Sequence, residues 1–488
     1  MDADTGNNAI PVKSTRKHMR EAGRFENYFF ARARLSFLSW VVVSAKYHND
    51  AGAPLDKPTL FAALDQVVRN LPALASCMEY TVSLPTAPAV WLHLPSVDLN
   101  KLVEFREEDS TQLHTVLEAM YAVPAQYADD VPPWKVFVLR DDTVAFTYEH
   151  TIGDGQSGMA FHTALLNALR KPKAPLSEHS GVVTGLPDDA ALSPAMEDAM
   201  DVSVPFTMLL WEIVKPFWPP AQRRLREAWT GKDAPSEAIH DMAVRILGHY
   251  SPADGKYLVE LSRAHKTTLT GTLHTVALVV LSRLIHAHTE EGQYKTIATT
   301  VPISLRRFTH VPPIAFCNHV SALREDYPIL PSGSKEESAA IITAETFPWG
   351  LAAGLVDALK REAPRSGSAV GLLKFVGGKY EQYLRGQLGK KRAAGLELSN
   401  IGPFPVAHLE KTAEDAPPSS RWDADEVLFA QASATLGPAL CLNVAGTPAG
   451  GFGVTVTYNK EAVDEALAEE FVEAFKAGVQ GLLTSRPT

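Results

Sequence analysis

Residues 143–169 read TVAFTYEHTIGDGQSGMAFHTALLNAL. In the first part Val144, Phe146 and Tyr148 alternate with Ala145, Thr147 and Glu149, the period of two that belongs to a β-strand. His150 falls on the face of Phe146 and Tyr148, at the strand's end, where side chains begin to leave the packed sheet. Farther on, Phe161, Leu165 and Leu169 recur four apart, which predicts a helix with one buried stripe. Gly153, Gly155 and Gly158 are expected to give the connection backbone angles that other residues resist. A strand, loop and helix of this kind can hold an imidazole in one orientation. The plain alternative is an ordinary connection with a polar residue at its rim. In a chain with 16 histidines and 31 glycines, a His-x-x-x-Asp-Gly string arises by chance on the order of once in fifteen such chains. The strand end before it and the helix after it are what give the string weight.

Outward from this stretch the chain alternates strands and helices, which gives an α/β or α+β build. Upstream, helical character around Phe25 to Arg34 passes into a β-rich run from Phe37 to Tyr47. LDKPTLFAALDQVVRNLPAL places Leu60, Leu64, Val67, Val68 and Leu71 on one helical face, and AVWLHL and WKVFVLR read as short strands. Downstream, residues 171–198 loosen into a Pro-, Ser- and Gly-rich stretch, and a second loose stretch covers 231–236. The domain boundary is expected between them: a lobe over 1–200, a linker or lid region over 201–236, and a second lobe over 237–488. In the linker, MLLWEIV could lie on a membrane surface, but it is short and Glu212 interrupts it, so a core or lid helix is expected. In the second lobe TLTGTLHTVALVVLSRLIHAH predicts a buried helix with threonines at its start. YKTIATTVPISLRR predicts a strand ending at Pro302. NHVSAL, LELSNIG, VLFAQASAT, ALCLNVAG and GFGVTVTYN are further strands, and a helix from Asp464 to about Leu483 closes the chain.

The totals exclude several classes. At 488 residues the chain exceeds what one compact core needs. A hydrophobic share of 45%, a charged share of 21% and a net charge of −10 suit a soluble globular protein and argue against general affinity for nucleic acid or anionic membrane. Cys77, Cys317 and Cys441 share no metal-ligand spacing and read as reduced, buried thiols, so a cytoplasmic location is expected. The first twenty residues hold no secretory core, and no window reaches the roughly 18 apolar residues of a membrane span. His286 and His288 close a helix with no third ligand near them, and no metal is expected.

HTIGDG, with Phe161-His162 and LLNAL behind it, resembles the HxxxDG motif of the acyl-CoA-dependent acyltransferases. That superfamily includes chloramphenicol acetyltransferase, plant BAHD enzymes and the condensation domains of peptide synthetases. The fungal alcohol O-acetyltransferase branch, with its yeast ester-forming enzymes and trichothecene acetyltransferases, is the closer match. FENYFFARARLSFLSWVVVSAKY is similar to its opening segment. TLTGTLHTVAL, VPISLRR, CNHVSAL, LELSNIG and GGFGVTVTY are similar to segments of its second half, in the same order. The resemblance implies two pseudo-symmetric, chloramphenicol-acetyltransferase-like αβ lobes with mixed sheets and a channel at their interface. It also implies an acyl-CoA cosubstrate, acetyl-CoA by default, with no tightly bound cofactor, and a small, lipophilic or secondary-metabolite alcohol as acceptor. A monomer is expected.

Residue by residue, the resemblance makes His150 the general base, a task suited to an imidazole that is neutral at cellular pH. It gives Asp154 an ion pair with an arginine from the second lobe, Arg306 or less well Arg307, and makes Gly155 structural. The alternative for Asp154 is a helix cap. Asn318, Ser433 and Thr435 are candidate oxyanion donors, although Cys317 stands where the family has glycine. Lys374, Lys379, Lys390, Lys391 and Arg392, with Arg385 between them, could meet the phosphates of CoA, or form a solvated face. No Gly-x-Ser-x-Gly elbow appears, in keeping with direct transfer. Two rival readings are a condensation-type catalyst fed by a carrier protein, and a use of the scaffold without acyl transfer. Glu149 stands where condensation domains usually carry a second histidine, which favours the CoA enzyme.

Overall fold

The motif strand forms over Thr143–Glu149, and all seven of its residues are buried. Both faces of the strand are covered. Trp40–Asn49 and Trp134–Val138 flank it antiparallel, so that Tyr148 lies opposite both Val41 and Trp134. On one face the helix Gly155–Arg170 returns across the sheet beside the helix Lys57–Asn70. Phe146 and Phe161 bind strand to helix, their rings stacked with centroids 3.7 Å apart. Such a pair adds about 0.5–1.5 kcal/mol beyond the area it buries. On the other face the helix Leu113–Tyr121 packs over Trp40, Val42 and Ala145, together with Met242 and Val244 from the second half of the chain. The two halves therefore share a core.

The structure is a computed structural model and describes residues 16–37, 39–80, 87–123, 131–171, 181–187, 189–331, 342–411, 417–432 and 435–486. It has the expected mixed α/β build. The first sheet runs in the order Trp422–Gln431, Trp40–Asn49, Thr143–Glu149, Trp134–Val138, Val103–Phe105. Its outer strand comes from the second half of the chain. That strand, expected from VLFAQASAT, is irregular between Asp425 and Leu428, and Glu426 takes a positive φ of 47° there. The irregularity lets Val427 and Phe429 join the core under the helix Gly155–Arg170, while Leu428 and Ala430 join the shared core.

The second sheet runs Ala228–Trp229, Thr296–Ser304, Leu396–Asn400, Leu440–Gly446, Phe452–Asn459, Met242–Tyr250, and Val320–Pro328 also pairs with Thr296–Ser304. Parallel and antiparallel pairings mix in it. Thr296–Ser304 runs two residues past the expected stop at Pro302, whose partner in the ladder is Ala322. The parallel pairing to Leu396–Asn400 covers Thr299 and Thr300 and does not reach Pro302, so the missing N–H there breaks no bond on that side. The helices Leu269–His288, Trp349–Glu362 and Glu465–Thr484 cover the second sheet. Contrary to the composition reading, Leu269–His288 is long and apolar enough to cross a membrane by length and composition alone. Most of it is buried in the second half, so its apolarity serves the core.

The helix Phe206–Val214, expected as a core or lid helix, is no core helix, because none of its residues is buried.

Candidate active site

His150 is held from both halves of the chain through its backbone. Its N–H donates to the Ser39 carbonyl at 2.9 Å. Its own carbonyl accepts from Nδ2 of Asn318 at 2.6 Å, and Asn318 lies 168 residues further on. Phe29, from the helix Arg24–Arg34, stacks on the imidazole with ring centroids 4.1 Å apart. Nδ1 is buried and has no hydrogen-bond partner among the described residues, while the residue as a whole keeps partial contact with solvent. Burial pulls the His150 pKa down to about 4, and the nearby charge of Arg32 pulls the same way. At neutral pH the ring is therefore unprotonated and able to accept a proton.

Four residues beyond His150, Asp154 fills both roles proposed for it. Its side chain caps the helix Gly155–Arg170 by accepting from the Ser157 N–H. The same carboxylate meets Arg306 in a forked pair, with Nη2 to Oδ1 at 2.6 Å and Nε to Oδ2 at 3.3 Å. The N–H of His319 donates to Oδ2 as well. Arg306 spends its other nitrogen on the carbonyls of Pro313 and Ala315. Ser157 Oγ ties the cap to the second half by donating to the Cys317 carbonyl at 2.9 Å. Both charged side chains are almost wholly buried. Arg307, the weaker candidate, is exposed and lies over Phe308. The pair therefore fixes the loop that carries His150, and the loop is pinned again where Tyr148 Oη donates to the Asp154 carbonyl.

The glycines of the loop are required for space. None of Gly153, Gly155 and Gly158 has positive φ, which overturns the expectation of unusual backbone angles. A Cβ on Gly155 would strike Ile401, and one on Gly158 would strike Val43. Both contacts set how closely the helix approaches the sheets.

Among the candidate oxyanion donors, Asn318 already gives a hydrogen of Nδ2 to the His150 backbone, and its Oδ1 is buried without a partner among the described residues. It positions the imidazole. Thr435 is wholly buried, which closes it off from a reacting centre; its hydroxyl accepts from the Ile239 N–H and its carbonyl accepts from Arg392. Ser433 lies outside the described residues. The basic run divides in the same way. Arg392 is buried and stitches together the carbonyls of Lys232, Thr435 and Gly437, which removes it from any phosphate site. Lys391 donates to the Arg226 carbonyl. Lys374, Lys379, Arg385 and Lys390 are exposed. His286 and His288, set aside as metal ligands, donate from Nε2 to the Leu330 carbonyl and to the Glu470 carboxylate.

Four residues near the base were not singled out in the sequence. Phe29 covers the imidazole, and Arg32 lies over Phe29 at 5.1 Å. Glu397, on the strand Leu396–Asn400, accepts from Gln431 Nε2 at 2.6 Å. Burial raises the Glu397 pKa to about 6 against the opposing pull of Gln431, Arg32 and Arg324. A glutamate between two leucines in LELSN was a readable sign of such a site; nothing in the sequence marked the other three.

Two cavities lie apart from the imidazole, and His150 lines neither. One of about 370 Å³ opens beneath the helix Leu113–Tyr121, bordered by Trp40, Trp134 and Glu149. The other lies behind the helix Gly155–Arg170. Cys317 is no competing nucleophile, because burial pushes its thiol up to about 12.

Comparison with known proteins bears on what this arrangement does. The family model described as alcohol acetyltransferase matches residues 94–479. A relative named "Probable alcohol acetyltransferase crmB", from Aspergillus fumigatus, is 26% identical over 464 residues, which covers 88% of this chain and 93% of that one. "Probable alcohol acetyltransferase FCK4", from Fusarium pseudograminearum, is 24% identical over 415 residues, covering 80% and 79%. Among solved structures, the TRI3 trichothecene 15-O-acetyltransferase of Fusarium sporotrichioides superposes with a TM-score of 0.66 at 13% identity, covering 95% of this chain and 94% of that one. The first condensation domain of the calcium-dependent antibiotic synthetase superposes at 0.56 with 16% identity, covering 96% and 97%. These two likenesses establish the fold. The match over residues 94–479 goes further: the chain belongs to the alcohol acetyltransferase family.

Proposed function

We propose that the protein transfers an acetyl group from acetyl-CoA to the hydroxyl of a small, lipophilic alcohol, with His150 as general base and without an acyl-enzyme. The neutral imidazole takes the hydroxyl proton as the alcohol oxygen attacks the thioester carbonyl carbon. The tetrahedral intermediate collapses with cleavage of the C–S bond. The imidazolium then returns its proton to the departing thiolate, so the base is regenerated and the products are an ester and free CoA. The observation that carries this reading is a neutral, partly accessible imidazole whose backbone is clamped at Ser39 and Asn318.

Orientation supplies part of the rate. The loop is fixed by the Asp154–Arg306 pair, so the base need not be ordered at the moment of reaction. Exposed Lys374, Lys379, Arg385 and Lys390 remain as the basic residues of that run available to the CoA phosphates. The protein acts as a monomer in the cytoplasm in this proposal.

The test is His150→Ala, assayed with acetyl-CoA and a panel of alcohols, with circular dichroism to check the fold. A loss of about a hundredfold or more in kcat is expected, with the fold intact. Unchanged turnover would remove the imidazole from the reaction. Supplying the acyl group on a carrier protein instead of CoA separates this reading from the condensation-type rival: exclusive use of the carrier would overturn the CoA assignment.

A further inference from the structure

The exposed apolar surface of this protein is concentrated in one place. Of the thirteen large hydrophobic residues exposed among the described residues, eight lie between 206 and 225: Phe206, Leu210, Trp211, Ile213, Val214, Phe217, Trp218 and Leu225. Phe206 and Phe217 are 75% and 83% exposed. Scattered single hydrophobics need no explanation, but a contiguous cluster of this kind does.

The cluster sits on an anchored projection. At its start Val202 is buried, and the Ser203 carbonyl accepts from Ser368. At its end Glu227 pairs with Lys295 at 2.7 Å, and the chain enters Ala228–Trp229 at the edge of the second sheet. Between these anchors come the helix Phe206–Val214, a turn containing Pro216, and the helix Pro219–Glu227, neither helix with any buried residue. Each helix has nine residues, far below the roughly 20 needed to span a bilayer. At 100° per residue the exposed apolar positions of Phe206–Val214 sweep about 160° of its circumference, much wider than the seam one partner helix would cover.

We infer that the projection 206–226 is an interfacial anchor that seats this protein on the surface of a membrane containing anionic lipids. Three features select a bilayer surface over other occupants. Trp211 and Trp218, with Phe217, are the residue types that settle at the boundary between headgroups and acyl chains. The second arm carries exposed Arg224 and Arg226 behind the aromatic tip, on a chain whose net charge is −10, so the local charge complements anionic headgroups. The acidic side chains of the projection are already neutralised, Glu212 by Lys215 at 2.8 Å and Glu227 by Arg223 at 2.8 Å. On this inference the projection is a local exception to the expectation that the acidic chain avoids anionic membranes. The anchor is independent of the chemistry at His150, which lies on other elements.

Co-sedimentation of the full chain with phosphatidylcholine vesicles, with and without phosphatidylserine, tests the inference without any assay of catalysis. The unmodified protein is expected to bind the phosphatidylserine vesicles, more weakly as salt rises. The triple variant Trp211→Ser/Phe217→Ser/Trp218→Ser is expected to fall at least about tenfold in partitioning while melting at the same temperature. Arg224→Glu/Arg226→Glu is expected to remove the preference for phosphatidylserine. The inference is overturned if the unmodified chain binds neither vesicle at low salt, or if the triple variant binds as well as the original. It is overturned equally if the triple substitution abolishes a dimer of a chain that ignores vesicles, since the patch would then be a contact between copies.

Discussion

Asp154 and Arg306 are 152 residues apart in the chain, and their side chains meet at 2.6 Å in a buried forked pair. The aspartate belongs to the loop after the histidine strand and the arginine to the turn after Thr296–Ser304. One contact thus joins the first half of the chain to the second beside the proposed base. Both partners also hold backbone groups, Asp154 the N–H of Ser157 and of His319, Arg306 the carbonyls of Pro313 and Ala315.

Removing the cation alone is expected to be severe. Arg306→Met leaves a carboxylate buried without its partner, a situation that costs about 3–5 kcal/mol. Urea unfolding measures this, and a loss below about 1 kcal/mol would show that the pair does not hold the halves together. Arg306→Lys keeps the charge and loses the fork, so partial recovery is expected.

The pH dependence of kcat/KM follows from the His150 environment. Protonation of the free enzyme abolishes the base, and that step is pulled down to about 4. The rate is expected to stay level from pH 8 to 6 and to fall only as pH approaches 4. An acid limb centred near 6.5, the ordinary value for histidine, would mean that the titrating base is a different, exposed group.

Two further histidines make the fold sensitive to acid. His162 is buried with Nδ1 at Tyr47 Oη and Nε2 at the Val43 carbonyl, and burial pulls its pKa down to about 4. His274 is buried against Tyr327 with no partner on either nitrogen among the described residues, and burial pulls it to about 3. Unfolded, these groups take up protons near 6.5, so between that value and their folded values the unfolded chain binds more protons. Stability therefore rises with pH in this window and is lost as pH falls from about 6.5 towards 3, by on the order of 3–5 kcal/mol per group. His274→Leu is expected to flatten this slope. It should also raise stability at pH 7 by about 1–3 kcal/mol, because it removes two unpaired polar atoms from the core. Chemical unfolding of both proteins across pH 4–8 decides the point.

Gly158 gives a steric prediction with a built-in rescue. Its missing Cβ lets the helix Gly155–Arg170 lie directly on Val43. Gly158→Ala is expected to destabilise by about 1–3 kcal/mol through overpacking, despite the better helix propensity of alanine. Adding Val43→Ala should restore much of that loss. Additive losses in the double variant, measured by thermal unfolding, would show that the two positions do not compete for the same space.

Much of this was readable from residue order. The strand Thr143–Glu149, the helix behind it, the capping position of Asp154 and the helices Lys57–Asn70 and Leu269–His288 all announce themselves through period, caps and apolar runs. Arg306 was marked by its resemblance to a family segment, and the structure brings it to Asp154. Thr435 and Arg392 misled because polar and basic residues look alike in sequence whether they face a ligand or a backbone carbonyl. The helix Phe206–Val214 misled for the converse reason: an apolar run predicts that water will be avoided, and says nothing about what replaces the water.

Local periodicity sets which segments become strands and helices, because hydrogen bonding and side-chain direction repeat within a few residues. It also set the motif that carries the imidazole. Which strand closes the first sheet, what pairs with Asp154, and what clamps and covers His150 were decided by tertiary structure. The partners involved, Trp422–Gln431, Arg306, Asn318 and Phe29, come from distant points of the chain. Contacts of that range are selected by the packing of whole cores, and no local pattern records them.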